Sequence, residues 1–143
     1  METITCFSLE SHAGPYEKWP LRSSVLIDGC PSETLTPGYT LLHQFKTSLG
    51  YLLITDFDCP FEEATSFLLL DFSHKLISHR TLRVPYGSFN LERVDWKDDT
   101  TVEVVFFDDD RWLVTLRRWG IPYLRPRIHL MRIPETTEGR SRS

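Results

Sequence analysis

The chain has 143 residues, of which 41% are hydrophobic and 25% charged, as expected of one soluble globular domain. Its net charge of −4 is unevenly spread: residues 1–110 carry 8 Lys and Arg against 18 Asp and Glu, and residues 111–143 carry 8 Arg against 2 Glu. No apolar run approaches the roughly 18 residues of a membrane-spanning helix, and no basic stretch followed by an apolar one opens the chain. These features exclude a helical membrane protein and predict a cytoplasmic one.

The three cysteines, Cys6, Cys30 and Cys59, support the same compartment. No two of them have the spacing of about two to four residues that zinc sites use, and an odd number does not fit a closed set of disulfides. This usage favours reduced thiols in a cytoplasmic protein.

The first 38 residues predict little regular structure. Residues 2–10 and 23–29 have the composition of strands, and the second of these ends at Gly29. Residues 11–20 and 30–38 are punctuated by Gly and Pro, which predicts loops.

From Tyr39 onward, turn signals recur about every 8–12 residues, too close for most helices. The predicted strands are 39–47, 51–58, 65–71, 76–85, 89–96, 101–107, 112–119 and 127–133. They form an antiparallel meander, so the predicted class is all-β, a single-domain β-sandwich or barrel of about 7–9 strands over residues 1–135. Residues 136–143 are predicted to be a disordered polar tail.

Two hydrophobic patterns distinguish the strands. Val102 and Val104 flank Glu103, the period of two expected of a strand with one covered face. Residues 52–54 and 67–70 are apolar throughout, which predicts central strands covered on both faces. A helix over residues 59–72 is the competing interpretation, because Pro at the first position and Glu in the first turn suit a helix start.

The stretch ITDFDCPFEE, residues 54–63, concentrates four carboxylates in ten residues. Its order does not match a calcium-binding loop, because Cys59 and Pro60 stand where Asn, Asp or Gly are needed. A crowded, exposed turn is the plain interpretation. A metal site, a catalytic site and an acidic patch for a basic partner are the alternatives.

Two further acidic turns, 97–99 and 108–110, bracket the strand 101–107. Asp is a favoured turn residue, so turn chemistry alone accounts for them. The sharper hypothesis joins the acidic segments into a docking surface with exposed aromatic anchors. The predicted partner-binding residues are Asp56, Asp58, Phe61, Glu62, Glu63, Trp96, Asp98, Asp99, Asp108, Asp109 and Asp110.

The stretch RRWGIPYLRPR, residues 117–127, interleaves four arginines with Trp119 and Tyr123. Arginines among stacking aromatic rings are typical of a single-stranded nucleic-acid surface. Arginine also bonds carboxylates, so pairing with acidic residues of neighbouring strands, such as Glu103, is the alternative. The net negative charge of the chain argues against nucleic acid, since it repels a polyanion.

Catalytic motifs do not decide the function, since the sequence contains no nucleotide-binding loop, serine-hydrolase elbow or zinc-protease motif. The sequence therefore predicts a non-enzymatic protein without cofactor or metal, monomeric or homodimeric, that binds and inhibits a protein partner. Its most concrete form is a cytoplasmic immunity protein that covers the active surface of a basic, nuclease-type bacterial toxin. The alternatives are a nucleic-acid- or anion-binding β-barrel that uses the Arg-rich C-terminal strands, and an enzyme with a dispersed site of Asp56 or Asp58 and a distant His.

Overall fold

The structure, a computed structural model, describes residues 1–12, 14, 22–37, 40–59, 62–85, 91–106, 110–118 and 127–134, and of residues 37, 57–59, 62–63 and 83–85 it describes the backbone alone. The strands are β1 (Glu2–Thr3), β2 (Phe7–Leu9), β3 (Arg22–Ile27), β4 (Cys30–Pro37), β5 (Thr40–Thr47), β6 (Gly50–Cys59), β7 (Glu62–Leu70), β8 (Leu76–Pro85), β9 (Leu91–Trp96), β10 (Thr101–Phe106), β11 (Asp110–Leu116) and β12 (Ile128–Arg132). The described residues include no helix long and apolar enough to cross a membrane. The predicted tail, 136–143, lies outside the described residues.

The strands form three antiparallel sheets. The central sheet has the order β1-β5-β6-β7-β8, the C-terminal sheet β12-β11-β10-β9, and the N-terminal sheet β2-β3-β4. The predicted all-β class and meander are confirmed, because β5 to β8 and β9 to β12 each pair with the next strand along the chain. The described sheets stack as a sandwich and do not close into a barrel, and they contain twelve strands where the sequence predicted about 7–9.

The central sheet is covered on both faces, as the apolar runs 52–54 and 67–70 predicted. The larger core, between the central and C-terminal sheets, contains Phe45, Leu52, Ile54, Phe67, Leu69, Val102, Val104, Phe106, Val114, Leu116 and Ile128. The smaller core, between the central and N-terminal sheets, contains Phe7, Val25, Leu53, Leu68 and Leu70. Because successive side chains of a strand point to opposite faces, β6 and β7 supply both cores. Each fully buried side chain of this size contributes about 1.5–3 kcal/mol.

The loop predicted for residues 30–38 is wrong, since Cys30–Pro37 forms β4. Asp28 and Gly29 both have positive φ, 50° and 82°, as in the two-residue turns that close tight hairpins. β4 pairs with β3 alone among the described strands, and an edge strand tolerates proline because one side of its backbone needs no ladder bond. The prolines in this segment therefore do not break the strand.

The competing helix over residues 59–72 does not form. Glu62–Leu70 is the strand β7 instead, paired along its length with β6. A helix would have turned its apolar residues toward one side, whereas Phe67 and Leu69 enter one core and Leu68 and Leu70 the other. The strand is favoured over the helix because it supplies apolar side chains to both cores.

The central and C-terminal sheets contact each other at two sides. At one side Trp96 of β9 packs against Phe45 of β5, with ring centroids 5.1 Å apart. At the other side Arg80 of β8 donates a hydrogen bond to the carbonyl oxygen of Ile128 in β12, at 3.2 Å. These contacts join β9 to β5 and β12 to β8, so the two sheets face each other across the larger core.

Candidate functional site

The junction between the central and C-terminal sheets lies where the turns 48–49 and 97–100 meet. Asp99 accepts a hydrogen bond from the backbone N–H of Ser48 at 2.7 Å and forms an ion pair with the N-terminal amine of Met1. Together these bonds lower the pKa of Asp99 to about 2, and the bond from the amine has the largest effect. β6 and β10 both begin at this junction and run away from it, so the two strands end at the same, distal end of the sandwich.

The β6–β7 hairpin carries the stretch 54–63 to the distal end. In the β6–β7 ladder Asp58 stands opposite Glu63, and Cys59 stands opposite Glu62. The structure describes only the backbone of these four residues, and the contact of the three acidic ones with a partner stays a prediction. Asp56, two residues before Asp58, is half-buried and takes part in a polar interaction within the fold. Phe61 lies outside the described residues.

β10 and β11 pair at their distal ends through Phe106 and Asp110. Asp110, the first residue of β11, accepts two bonds from Arg132, from Nε at 3.1 Å and from Nη2 at 3.2 Å, and a longer one from Trp112 Nε1 at 3.4 Å. The guanidinium of Arg132 also lies over the Trp112 ring, 5.0 Å from its centroid. Asp110 therefore fastens β12 to β11. Asp108 and Asp109 lie outside the described residues.

Asp98 and Asp99 lie at the junction, away from the distal ends of β6 and β10. Asp98 accepts hydrogen bonds from the backbone N–H of Thr100 at 2.8 Å and from its hydroxyl at 3.2 Å. The backbone bond from Thr100 is the main cause of a lowered pKa for Asp98. Turn geometry and the sheet junction thus account for both residues, and their contact with a partner stays a prediction.

Trp96, the second predicted aromatic anchor, packs inward. Its ring is half-buried against the larger core and the edge of Phe45. Its Nε1 is buried, and no described residue accepts a hydrogen bond from it. The ring therefore stabilises the seam between β9 and β5, and a partner contact through Trp96 stays a prediction.

Two described arginine side chains near the C-terminal stretch bond within the fold. Arg111 forms a salt bridge with Glu103 at 3.0 Å across the β10–β11 pair. Arg127 Nε donates to the carbonyl oxygen of Arg117 at 3.1 Å. Glu103 thus pairs with Arg111, which lies outside the stretch 117–127, and the pairing of that stretch with acidic residues stays a prediction. Arg118 is exposed, and residues 119–126, including the predicted aromatic partners, lie outside the described residues.

Two described histidines lie within hydrogen-bond distance of a hydroxyl, and His79 Nε2 is 3.1 Å from Thr81 Oγ1. His12 Nε2 lies 2.9 Å from Ser23 Oγ. Ser23 has no exposed surface, so a substrate has no access to its hydroxyl. The described residues contain no group of three or more His, Cys, Asp or Glu side chains placed to hold a metal ion.

Sequence reasoning missed a groove of about 620 Å³ between the N-terminal sheet and the β7–β8 turn. It is lined by Arg22, Ile27, Ser32, Glu33, Thr34, Leu35, Ser73, His74, Lys75 and Leu76. Only the fold brings residues 22–35 to residues 73–76, and no motif joins them in the sequence. The one available signal was Asp28-Gly29, which predicts a hairpin and hence the strand β4 that forms one wall.

No family model, curated protein or solved structure matches this chain. The function is therefore argued from the described residues and their placement in the fold.

Proposed function

We propose that this chain is a non-enzymatic inhibitor that binds a protein partner, and most concretely a cytoplasmic immunity protein that neutralises a basic, nuclease-type bacterial toxin. The contact surface in this proposal is the distal end of the sandwich, with Asp58, Glu62 and Glu63 at its centre. The observation that supports it is the β6–β7 ladder, which sets Asp58 opposite Glu63 and Cys59 opposite Glu62 at the end of these strands away from the junction.

The charge arrangement at the distal end explains how such a partner would be recognised. Asp58 stands opposite Glu63 in the β6–β7 ladder, and in this proposal both carboxylates contact a basic surface of the partner. A patch of one sign also steers an oppositely charged partner and speeds association. Asp110 is not part of the proposed contact, because its carboxylate already holds Arg132.

The nucleic-acid alternative has less support from the described residues. Arg111 bonds Glu103 and Arg132 bonds Asp110, so two cations of the C-terminal third are neutralised within the sheet. A guanidinium that is paired with a carboxylate within the fold has less charge available to bind a phosphate.

The first test is affinity capture from the native lysate with and without nuclease treatment, followed by mass spectrometry. We expect one basic protein near equimolar amount, unaffected by nuclease. The double variant Asp58→Asn with Glu63→Gln should then slow association by about tenfold and flatten its salt dependence. The matched control is Glu2→Gln with Glu92→Gln, which removes the same charge from two exposed positions outside the acidic segments.

Three outcomes would count against the proposal. A large, nuclease-sensitive set of captured proteins would favour the Arg-rich strands and nucleic acid. Equal effects of the two double variants would show that net charge, not the β6–β7 hairpin, governs association. Recovery of no specific partner would remove the inhibitor proposal in this form.

A further inference from the structure

The missed groove has two walls, each made of four consecutive residues. One wall is residues 32–35 of β4, and the other is residues 73–76 of the β7–β8 turn and the start of β8. Successive residues of a regular strand face opposite sides, so four in a row can border one groove only along the edge of the strand or where a bulge breaks the alternation. Both conditions hold at β4.

The β4 wall is a bulge on an edge strand. In the β3–β4 ladder Ser24 pairs with Leu35 and Leu26 with Pro31, so three residues of β4 stand opposite one residue of β3. Ser32 Oγ closes the bulge by donating to the carbonyl oxygen of Val25 at 2.7 Å. The outer edge of β4 pairs with no described strand. The Thr34 N–H already bonds Ser32 Oγ at 3.2 Å and the Ser32 carbonyl oxygen accepts from Ser24 Oγ at 3.3 Å, so an added segment would bond the other backbone groups of residues 32–35, as sheet edges do in peptide recognition.

The opposite wall is held rigidly by Asp71. Its Oδ1 accepts the backbone N–H groups of Ser73 at 2.8 Å and Lys75 at 3.0 Å. This turn holds His74 at a φ of 68°, a left-handed conformation that non-glycine residues seldom adopt. The His74 ring stacks on Tyr51, with centroids 5.4 Å apart. Both walls are thus formed before any ligand arrives, which lowers the entropic cost of binding.

The lining of the groove is cationic and apolar, unlike the acidic distal end. Arg22 and Lys75 are exposed, and neither forms a salt bridge with any described residue. Glu33 is the single carboxylate of the lining. Leu35 is 47% exposed and Leu76 41%, so two aliphatic side chains face solvent beside the two cations. A ligand that carries carboxylates and aliphatic groups together matches this lining.

We propose that this groove binds an extended, acidic and aliphatic segment of a partner protein, which adds to the free edge of β4. Its backbone bonds the edge of residues 32–35, its carboxylates face Arg22 and Lys75, and its aliphatic side chains cover Leu35 and Leu76. Four strand residues span about 13 Å, so the groove takes up a short segment rather than a whole strand. The groove lies at the junction end, since Leu70 pairs with Tyr51 next to the β5–β6 turn, and the inference does not depend on the distal acidic surface.

The test is fluorescence anisotropy with labelled peptides on the full chain. The probe is a fluorescein-labelled peptide of alternating Asp and Val, compared with one of alternating Lys and Val. We expect saturable binding of the acidic peptide, and affinity weaker by about tenfold for the variant Arg22→Gln with Lys75→Gln. The matched control is Lys46→Gln with Lys97→Gln, which removes the same charge from exposed positions outside the groove and should leave the affinity unchanged.

A second measurement locates the bound peptide. In amide NMR spectra the acidic peptide should shift the resonances of residues 32–35 and 73–76 and leave those of the 97–100 turn in place. The proposal is overturned if the acidic peptide does not saturate, if the basic peptide binds as well, or if both double variants lose the same affinity. Self-association of the chain that the acidic peptide does not compete away would also overturn it, because the β4 edge would then belong to a second copy.

Discussion

Thr65 offers a sharp test of the packing between the central and C-terminal sheets. Its side chain has no exposed surface, and its hydroxyl finds no hydrogen-bond partner among the described residues. A buried hydroxyl without a partner costs about 1–3 kcal/mol relative to water. Thr65→Val keeps the shape, removes the hydroxyl and suits a strand, so we expect the free energy of unfolding to rise by about 1 kcal/mol.

The expected shift in melting temperature follows from the size of the chain. An unfolding entropy of about 2.1 cal/mol/K per residue gives roughly 0.3 kcal/mol/K for this chain, so a gain of 1 kcal/mol raises Tm by about 3 °C. Differential scanning calorimetry and urea titration both resolve a change of this size.

Thr55→Val is the matched control, because Thr55 is equally buried but bonds Thr36, with the two hydroxyl oxygens 3.0 Å apart. Replacing Thr55 leaves the buried Thr36 hydroxyl without that partner, and we expect a loss of about 1–2 kcal/mol. Opposite signs for the two variants support the reasoning. If Thr65→Val destabilises the protein as much as Thr55→Val, the account of the buried hydroxyls is refuted.

Three further predictions concern single sites. Asp99→Asn should lower the free energy of unfolding at neutral pH by about 1 kcal/mol, a value reduced for screening at an exposed carboxylate. Because the folded pKa of Asp99 lies below its unfolded value, this contribution is present above pH 3.8 and is lost as the pH falls through about 2, and urea titrations of both proteins at several pH values test this. Gly50→Ala should lower the free energy of unfolding by about 3 kcal/mol or more, because a Cβ there would lie 2.1 Å from a carbonyl oxygen of β7. Gly29→Ala, with open space and a φ of 82°, should lower it by only about 1 kcal/mol, and equal melting temperatures for the two variants would contradict this. The exposed Cys30 should react with iodoacetamide faster than Cys6, whose pKa is raised by burial and then by a nearby carboxylate, and mass spectrometry of time points would reveal the reverse order if the reasoning fails.

The meander could be predicted from the sequence because its signals are local. Turn residues and period-two alternation located β5 to β12 to within about three residues at each end, and the apolar runs 52–54 and 67–70 identified strands with two covered faces. β4 was missed because Pro31 and Pro37 were weighted as breakers, whereas the edge position that makes them harmless depends on the other strands. The third layer was missed with it.

The sites were harder to predict than the strands. The acidic segments were visible in the sequence, but only the fold places Asp99 at the junction and the ends of β6 and β10 away from it. The groove joins residues about 40 positions apart, and its walls depend on a bulge and a left-handed turn. Neither device has a sequence signature strong enough to be recognised before the fold is known.

The two-sided burial of β6 and β7 has a consequence for the order in which the protein matures. The N-terminal sheet ends at residue 37, but the central-sheet residues that cover its Phe7 and Val25 extend to Leu70. At about 5–20 residues per second, translation needs roughly 2–7 seconds to make the intervening segment. For that interval the nascent chain exposes these two apolar side chains, and this is the window in which a chaperone would have most to protect.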